Sequence, residues 1–278
     1  MTTTNQVTAR PDFYLRGDWR LLNNGSFGAC PKPVFDVYQR WQVEVEKHPG
    51  GYMSRQREEL TKARTVLADY LHTDQSRLAF VTNATMGVNV VTHSLRSWLQ
   101  PGDEVLTTDH EYGACNHGSL TVARWVQHTS TTRSLCRSTM TCGSSEQFWA
   151  GVTDRTGRVI YLSHTTSPTA LTFPLEEICR RAGTGILTVI DGAHVPGQRE
   201  LFLDELGADF YTGNCHKWMG GPKGTAFLHV RPEVQHLIEP LIVGHGWFPD
   251  KESEKPLEDY VEQFGTRELA GFWRSRSH

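Results

Sequence analysis

Short apolar segments alternating with helical ones recur through the second half of the chain, and this alternation limits the fold more than any other feature. Val159–Ser163, Thr188–Ile190, Phe210–Thr212 and Ala226–Val230 read as short buried strands, apolar along the run rather than at every second position. That pattern belongs to strands covered on both faces. A helix at Leu175–Ala182 separates the first two. Upstream, Leu78–Thr82 reads as a strand, Asn83–Thr85 as a turn, and a helix continues to about Leu99. Pro101-Gly102-Asp103 then turns the chain into a strand from Glu104 to Thr108. Strands alternating with helices predict an α/β protein whose central sheet is mostly parallel, with helices on both faces. In such sheets ligands gather at the carboxyl ends of the strands.

Two helices precede this region. Val34, Tyr38, Trp41 and Val45 recur at helical spacing after a Pro31–Pro33 start, and Leu60, Ala63, Leu67 and Leu71 mark one face of a helix from about Ser54 to Leu71. With 278 residues the chain can bury a sizeable core, as one large domain or one plus a fragment. A net charge of -3 gives no electrostatic case for nucleic acid or an anionic membrane. The absence of a long apolar run or a leader-like start predicts a cytoplasmic protein without a membrane span. The six cysteines form no C-x-x-C pair and no zinc spacing, and read as reduced thiols with no metal site.

Four segments place reactive side chains at predicted strand ends. Thr188-Val-Ile-Asp191-Gly-Ala-His194 ends an apolar strand in a carboxylate. Alone, such an Asp is as often a turn-former or helix cap. About one βα unit later, Asp209-Phe-Tyr-Thr-Gly-Asn214-Cys-His216-Lys217 ends a strand in a lysine before a Gly/Pro turn. An isolated loop lysine is usually solvated, as Lys223 is taken to be, but the upstream Asp changes the odds. Phe80-Val-Thr-Asn83-Ala84-Thr85-Met-Gly87 is a strand, a small-residue turn and a helix start, suited to a phosphate or to an ordinary N-cap. Thr108-Asp-His110-Glu-Tyr112 puts aromatic groups at a further strand end. A carboxylate for a pyridine nitrogen, a lysine for an aldehyde and helix-start amides for a phosphate together suit pyridoxal 5′-phosphate (PLP).

These segments resemble the class V aminotransferase group of fold-type I PLP enzymes, in its isopenicillin N epimerase-like branch. The matching text is LNNGSFGACP at 22–31, TNATMGVNVV at 82–91, TTDHEYGACN at 107–116, IYLSHTTSPTALTFPLEEICRRA at 160–182, ILTVIDGAHVPGQ at 186–198, LGADFYTGNCHKWMGGPKGTAFLHVRPE at 206–233 and QFGTREL at 263–269. The resemblance implies a fold-type I large domain at 31–245, an N-terminal arm at 1–30 and the start of a C-terminal domain at 246–278. It implies that Lys217 holds PLP as a Schiff base and moves the α-proton, that Asp191 holds the pyridine nitrogen, and that His194 sits near the ring hydroxyl. Ala84 and Thr85 would bind the phosphate with help from Asn214 and His216. His110 matches the ring-stacking His of cysteine desulfurases, with Tyr112 competing for that role or acting as an acid. His164 stands where desulfurases have Asn, Asn24 lies in the segment that borders the substrate, and Thr266 fits the Gly-Thr that reaches a neighbouring subunit's phosphate. An amino-acid substrate and a homodimer follow from the same resemblance, with epimerisation at Cα or C–S elimination at Cβ as the outcome. Cysteine desulfuration needs a nucleophilic Cys beyond the lysine, and none follows Cys215.

Two stretches depart from the family. Residues 118–147 contain a Ser/Thr-rich run with little apolar surface, and the text after Phe272 does not continue into the family's small domain. With suitable codons, a one-base shift turns Trp273-Arg-Ser-Arg276 into Leu-Ala-Val-Pro and the run 124–145 into family-like text, so both places are expected to be frameshifted. Without the small domain the pocket is expected to be more open to water and turnover weak or absent even where PLP binds.

Overall fold

The computed structural model describes residues 12–16, 20–100, 103–115, 133–134, 145–149, 152, 158–183 and 185–242. Its centre is a seven-stranded sheet in the order β3-β2-β4-β5-β6-β7-β1. The strands are β1 (Leu78–Val81), β2 (Val105–Thr107), β3 (Arg133–Ser134), β4 (Val159–Ser163), β5 (Leu187–Asp191), β6 (Phe210–Asn214) and β7 (Ala226–Val230). β3, β2, β4, β5 and β6 pair in parallel, whereas β7 runs antiparallel to β6 on one side and to β1 on the other. β1 therefore points the same way as β6, and six of the seven strands present their carboxyl ends to one edge.

The strands alternate between two apolar layers. Ile160, Leu162, Ile190, Tyr211 and Phe227 join one cluster, which takes in Leu67 of helix α2 (Pro49–Tyr70), Leu71, which caps its end, and Ile178 and Ala182 of the helix Leu175–Ala182. Val159, Tyr161, Val189, Phe210 and Leu228 join the other, with Val88, Val91 and Leu95 of helix α3 (Ala84–Leu95). Every residue of β4, β6 and β7 is buried. This is the expected three-layer arrangement, and the period of two along each strand is what divides its side chains between the layers.

Boundaries move where a local cap wins. α2 begins five residues before the expected Ser54, because His48 Nδ1 accepts a hydrogen bond from the Gly51 backbone N–H at 2.6 Å and holds the Pro-Gly-Gly start in a helical turn. α1 (Lys32–Lys47) carries the expected apolar stripe, yet none of its residues is buried. The helix Leu175–Ala182 has Glu176 and Glu177 in its first turn and Arg180 and Arg181 in its last, which suits its dipole. Among the described residues no helix is long and apolar enough to cross a membrane. Most of 118–147, all of 246–278 and Thr266 lie outside the described residues, as do the two expected frameshifts.

Candidate active site

A cavity of about 450 Å³ opens at the common carboxyl edge of the parallel strands. Its walls come from the residues just past β1 (Thr82, Asn83, Ala84, Thr85), β2 (Tyr112), β4 (Ser163, Thr165, Ser167), β5 (Asp191, Ala193, His194) and β6 (Asn214, His216, Lys217), with Gly25, Ser26 and Phe27 of the N-terminal segment. The size is ordinary for a cofactor or small-molecule site.

Asp191 closes β5 and is 4% exposed. Its Oδ1 accepts the Ala193 backbone N–H at 2.9 Å, so it also forms the turn that a strand-end Asp often forms. Its Oδ2 is met at 3.5 Å by the Cys115 thiol and the Tyr161 hydroxyl. Burial pushes this carboxyl above its ordinary range, opposed by the Ala193 N–H and by Lys217 to the extent that it is charged. A buried carboxylate with one short hydrogen bond is electrostatically unfinished, and a cation in the cavity would complete it.

Lys217 follows β6 by three residues. Its Nζ lies 3.2 Å from His194 Nε2, and burial lowers its pKa against the opposing pull of Asp191. Burial likewise lowers His194 to about 4, so this imidazole is neutral at ordinary pH. The lysine turn is covered by the N-terminal segment at close quarters. The Gly28 N–H donates to the His216 carbonyl at 3.0 Å, and a Cβ on Gly28 would fall 1.8 Å from the Lys217 carbonyl oxygen. Only glycine permits that approach.

The start of α3 forms another wall. Asn83 caps the helix by accepting from the Met86 N–H at 2.8 Å. The Ala84 N–H donates to Asn214 Oδ1 at 2.8 Å in a buried bond that ties the helix start to the end of β6. Gly87 lets α3 lie flat on the sheet, since a Cβ there would meet Thr212 Oγ1 at 2.3 Å. His216 Nδ1 faces the Thr225 carbonyl at 2.9 Å and so carries its proton there, while its ring stacks with Phe27 at 6.1 Å between centroids.

Of the residues expected from sequence, the structure thus brings Lys217, Asp191, His194, Ala84, Thr85, Asn214, His216 and Tyr112 onto one cavity. Three others sit beside it rather than on its wall. His110 is 9% exposed and its Nδ1 lies 3.3 Å from Thr169 Oγ1; Tyr112, 48% exposed, is the ring from that segment that lines the cavity. His164 Nδ1 pairs with the Tyr211 hydroxyl at 3.0 Å, and burial lowers it to about 4. Tyr211 in turn packs under the Asp191–Gly192 turn, where a Cβ on Gly192 would overlap its ring. Asn24 caps its own loop, with Oδ1 accepting from the Ala29 N–H at 3.0 Å. Lys223 is exposed, and its ammonium donates to the Gly28 carbonyl.

Sequence reasoning missed Glu111. It is 5% exposed, accepts the Ser163 N–H at 2.8 Å, pairs with the Ser163 hydroxyl, and has Thr108 Oγ1 at 2.6 Å. It therefore joins the segment bearing Tyr112 to the end of β4. Burial, reinforced by Asp191, raises it to about 7 against these hydrogen bonds. The usable signal was its place between two aromatic rings at a strand end, where a carboxylate has little access to water.

A family model described as aminotransferase class-V matches residues 32–271. Isopenicillin N epimerase of Amycolatopsis lactamdurans is 34% identical over 271 residues, covering 96% of this chain and 67% of that protein. An L-cysteine desulfhydrase-like protein of Epichloe uncinata is 28% identical over 267 residues, covering 93% of this chain and 58% of its own length. The chain thus spans between about half and two thirds of the length of the curated relatives it matches. Among solved structures, a cystine C–S lyase in complex with cysteine persulfide superposes with a TM-score of 0.75 at 23% identity, over 91% of this chain and 70% of that one. The sheet order, the lysine after β6 and the aspartate ending β5 therefore belong to a fold-type I large domain, and the chain is a member of the aminotransferase class-V family.

Proposed function

We propose that this chain carries the PLP-binding core of an enzyme that takes the α-proton from an amino-acid substrate, with epimerisation at Cα as its reaction. The observation that carries this reading is the shared cavity of Lys217 and Asp191, an amine and an unfinished buried carboxylate at the ends of neighbouring strands. The residues fit the cofactor. Asp191 can pair with a protonated pyridine nitrogen, and His194 can donate to a ring hydroxyl. Ala84 and Thr85 at the start of α3 line the same cavity as Asn214 and His216 and would hold a phosphate, the Ala84 N–H exchanging its Asn214 partner for it. When bound, PLP supplies an electron sink for the pair left at Cα.

The protein's own part is to orient and to move protons. Lys217 approaches from the β6 side of Asp191, and Tyr112 from the β2 side. Two proton carriers arriving from opposite flanks of the carboxylate strand suit removal on one face and return on the other. The 34% identity to an isopenicillin N epimerase favours the same outcome. C–S elimination at Cβ is the second reading, supported by the desulfhydrase-like relative, and shares the first step. His110 and His164 act from behind the wall by holding the Tyr112 segment and Tyr211, and Asn24 shapes the segment over the substrate. Thr266 completes a phosphate site across a homodimer in the cytoplasm, the setting this reading gives the protein.

Purified chain mixed with PLP should show the absorbance of lysine-bound cofactor, absent in Lys217→Ala. Amino acids in deuterated water should then exchange Cα–H, with inversion marking epimerisation and release of pyruvate and sulfide marking elimination. Binding without exchange on any amino acid would reduce the chain to a cofactor-binding remnant. No lysine-bound absorbance in the folded wild type would overturn the reading.

A further inference from the structure

We propose that Trp218, the residue after Lys217, is a positioning residue: its indole N–H fixes the proton of His194 on Nε2 and thereby holds the Lys217 amine uncharged, as a hydrogen-bond acceptor. An indole N–H can only donate, and Trp218 Nε1 lies 3.4 Å from His194 Nδ1. Nδ1 must then supply the lone pair, which leaves the proton of the neutral ring on Nε2. Nε2 faces Lys217 Nζ at 3.2 Å. A ring N–H meeting an ammonium would set two donors against each other, whereas a neutral amine offers it a lone pair. The imidazole is wedged in place, because a Cβ on Gly25 would stand 3.0 Å from its Nδ1 on the N-terminal side. The indole therefore decides which nitrogen faces the lysine.

Other groups bear on the amine as well. Asp191 from β5 favours its cation, while burial opposes it; Cys115, from the segment after β2, is held protonated by burial and adds no charge. His216, on the lysine's own turn, is lowered by burial and adds no charge at neutral pH. Against the pull of Asp191, the Trp218–His194 pair is the directional contact that favours the free amine. Removing the indole N–H frees His194 to place its proton on Nδ1. Nε2 then accepts from Lys217, and the ammonium is favoured.

The proposal rests on Lys217 being the cofactor lysine, but the hydrogen bonds exist in the cofactor-free chain, where they are tested. The full chain, stripped of cofactor, is trace-acetylated with acetic anhydride across a pH series, and the Lys217 peptide is quantified by mass spectrometry. Trp218→Phe, which keeps an aromatic ring but loses the donor, should raise the pH midpoint of Lys217 reactivity by about one unit, a tenfold loss of reactivity below it. His194→Gln, whose amide oxygen can accept from the indole while its NH2 faces the lysine, should hold the wild-type midpoint. In His194→Ala, which leaves the indole nothing to orient, adding Trp218→Phe should be silent. Should Trp218→Phe not fold, His194→Ala is expected to raise the midpoint in its place. An unchanged midpoint in folded Trp218→Phe or in His194→Ala overturns the proposal. Failure of the wild type to take up PLP would sink the functional reading and leave this titration to decide the tautomer on its own.

Discussion

Two aspartates on neighbouring strands, both almost fully buried, have opposite surroundings. Asp209 enters β6 at the amino edge of the sheet, 2% exposed. Its Oδ2 accepts from the Thr188 N–H at 2.8 Å and from the Thr188 hydroxyl at 3.0 Å, its own N–H donates back to Thr188 Oγ1 at 2.9 Å, and Arg231 pairs with Oδ1 at 2.6 Å. Asp191 leaves β5 at the carboxyl edge with one short hydrogen bond and two contacts at 3.5 Å. Burial raises both carboxyls. The difference lies in what answers that cost. At the amino edge a threonine supplies close hydrogen bonds to Oδ2, and an arginine meets Oδ1 as an ion pair without an aligned hydrogen bond. At the carboxyl edge two of the three contacts are long, and among the described residues no cation pairs with the carboxyl directly, which leaves it open to one from a ligand. Burial alone therefore does not mark a site, whereas burial with an incomplete set of partners does.

Exchanging each carboxylate for its amide should break the comparison most visibly. Asp191→Asn is expected to lower PLP-dependent Cα–H exchange by roughly 10²-fold or more, the scale of losing a preorganised electrostatic contact, with little change in thermal midpoint. Asp209→Asn should do the reverse, costing on the order of 1–3 kcal/mol of stability by weakening the charge-assisted contacts to Thr188 and Arg231, with exchange per folded molecule unchanged. Parallel melting and exchange measurements on the two variants check this. Equal effects of both on stability and exchange would erase the distinction.

Glu111 sharpens it, being a buried carboxyl near the cavity that the fold does satisfy. Its folded pKa of about 7 lies above the ordinary value of 4.5. The stability tied to its proton is therefore fully present below pH 4.5 and is lost as pH rises through 7. Oε1 is the oxygen left to carry that proton, since Oε2 already receives both Ser163 donors, and the Thr108 hydroxyl, which donates to Oε1 at 2.6 Å when the group is a carboxylate, turns to accept when it is protonated. Glu111→Gln keeps this geometry without the titration. Its stability advantage over wild type should grow from nothing below pH 5 to about 3 kcal/mol above pH 8, as read from urea melts across that range. His164 and His194, both lowered to about 4, act in the other sense, with stability present above 6.5 and lost as pH falls toward 4. The difference between variant and wild type cancels their share. The smallest effect belongs to Thr85→Ala, which should weaken PLP binding about tenfold, the worth of one hydrogen bond to a charged group, and leave the melting curve unchanged.

Much of this architecture is legible in the sequence because its signals are local. β4 and β7 lie where continuous apolar runs place them, and the helix Leu175–Ala182 has its expected ends. Asp191 and Lys217 are legible as a pair, since strand ends in a parallel sheet converge on one edge whatever the loops do. The choice between His110 and Tyr112 is not, because the five residues Thr108 to Tyr112 that leave the end of β2 all carry polar groups and only the turn geometry decides which one faces the cavity. There the Thr108 hydroxyl takes the His110 N–H at 3.3 Å, Glu111 reaches β4, and Tyr112 is left at the opening. The Trp218–His194–Lys217 contact is equally hidden, since it joins residues that are 24 and 23 positions apart through side chains alone.

The central claim is that Lys217, among all the lysines of the chain, is the one that holds the cofactor. Incubating the purified protein with PLP, reducing with borohydride and mapping the modified peptide by mass spectrometry tests it directly. The reduced cofactor is expected on the peptide carrying Lys217, at close to one per chain, and is expected to disappear when Asp191 is replaced by a bulky apolar residue that fills the cavity. Label on Lys223, or spread thinly over surface lysines with Lys217 unmodified, would contradict it.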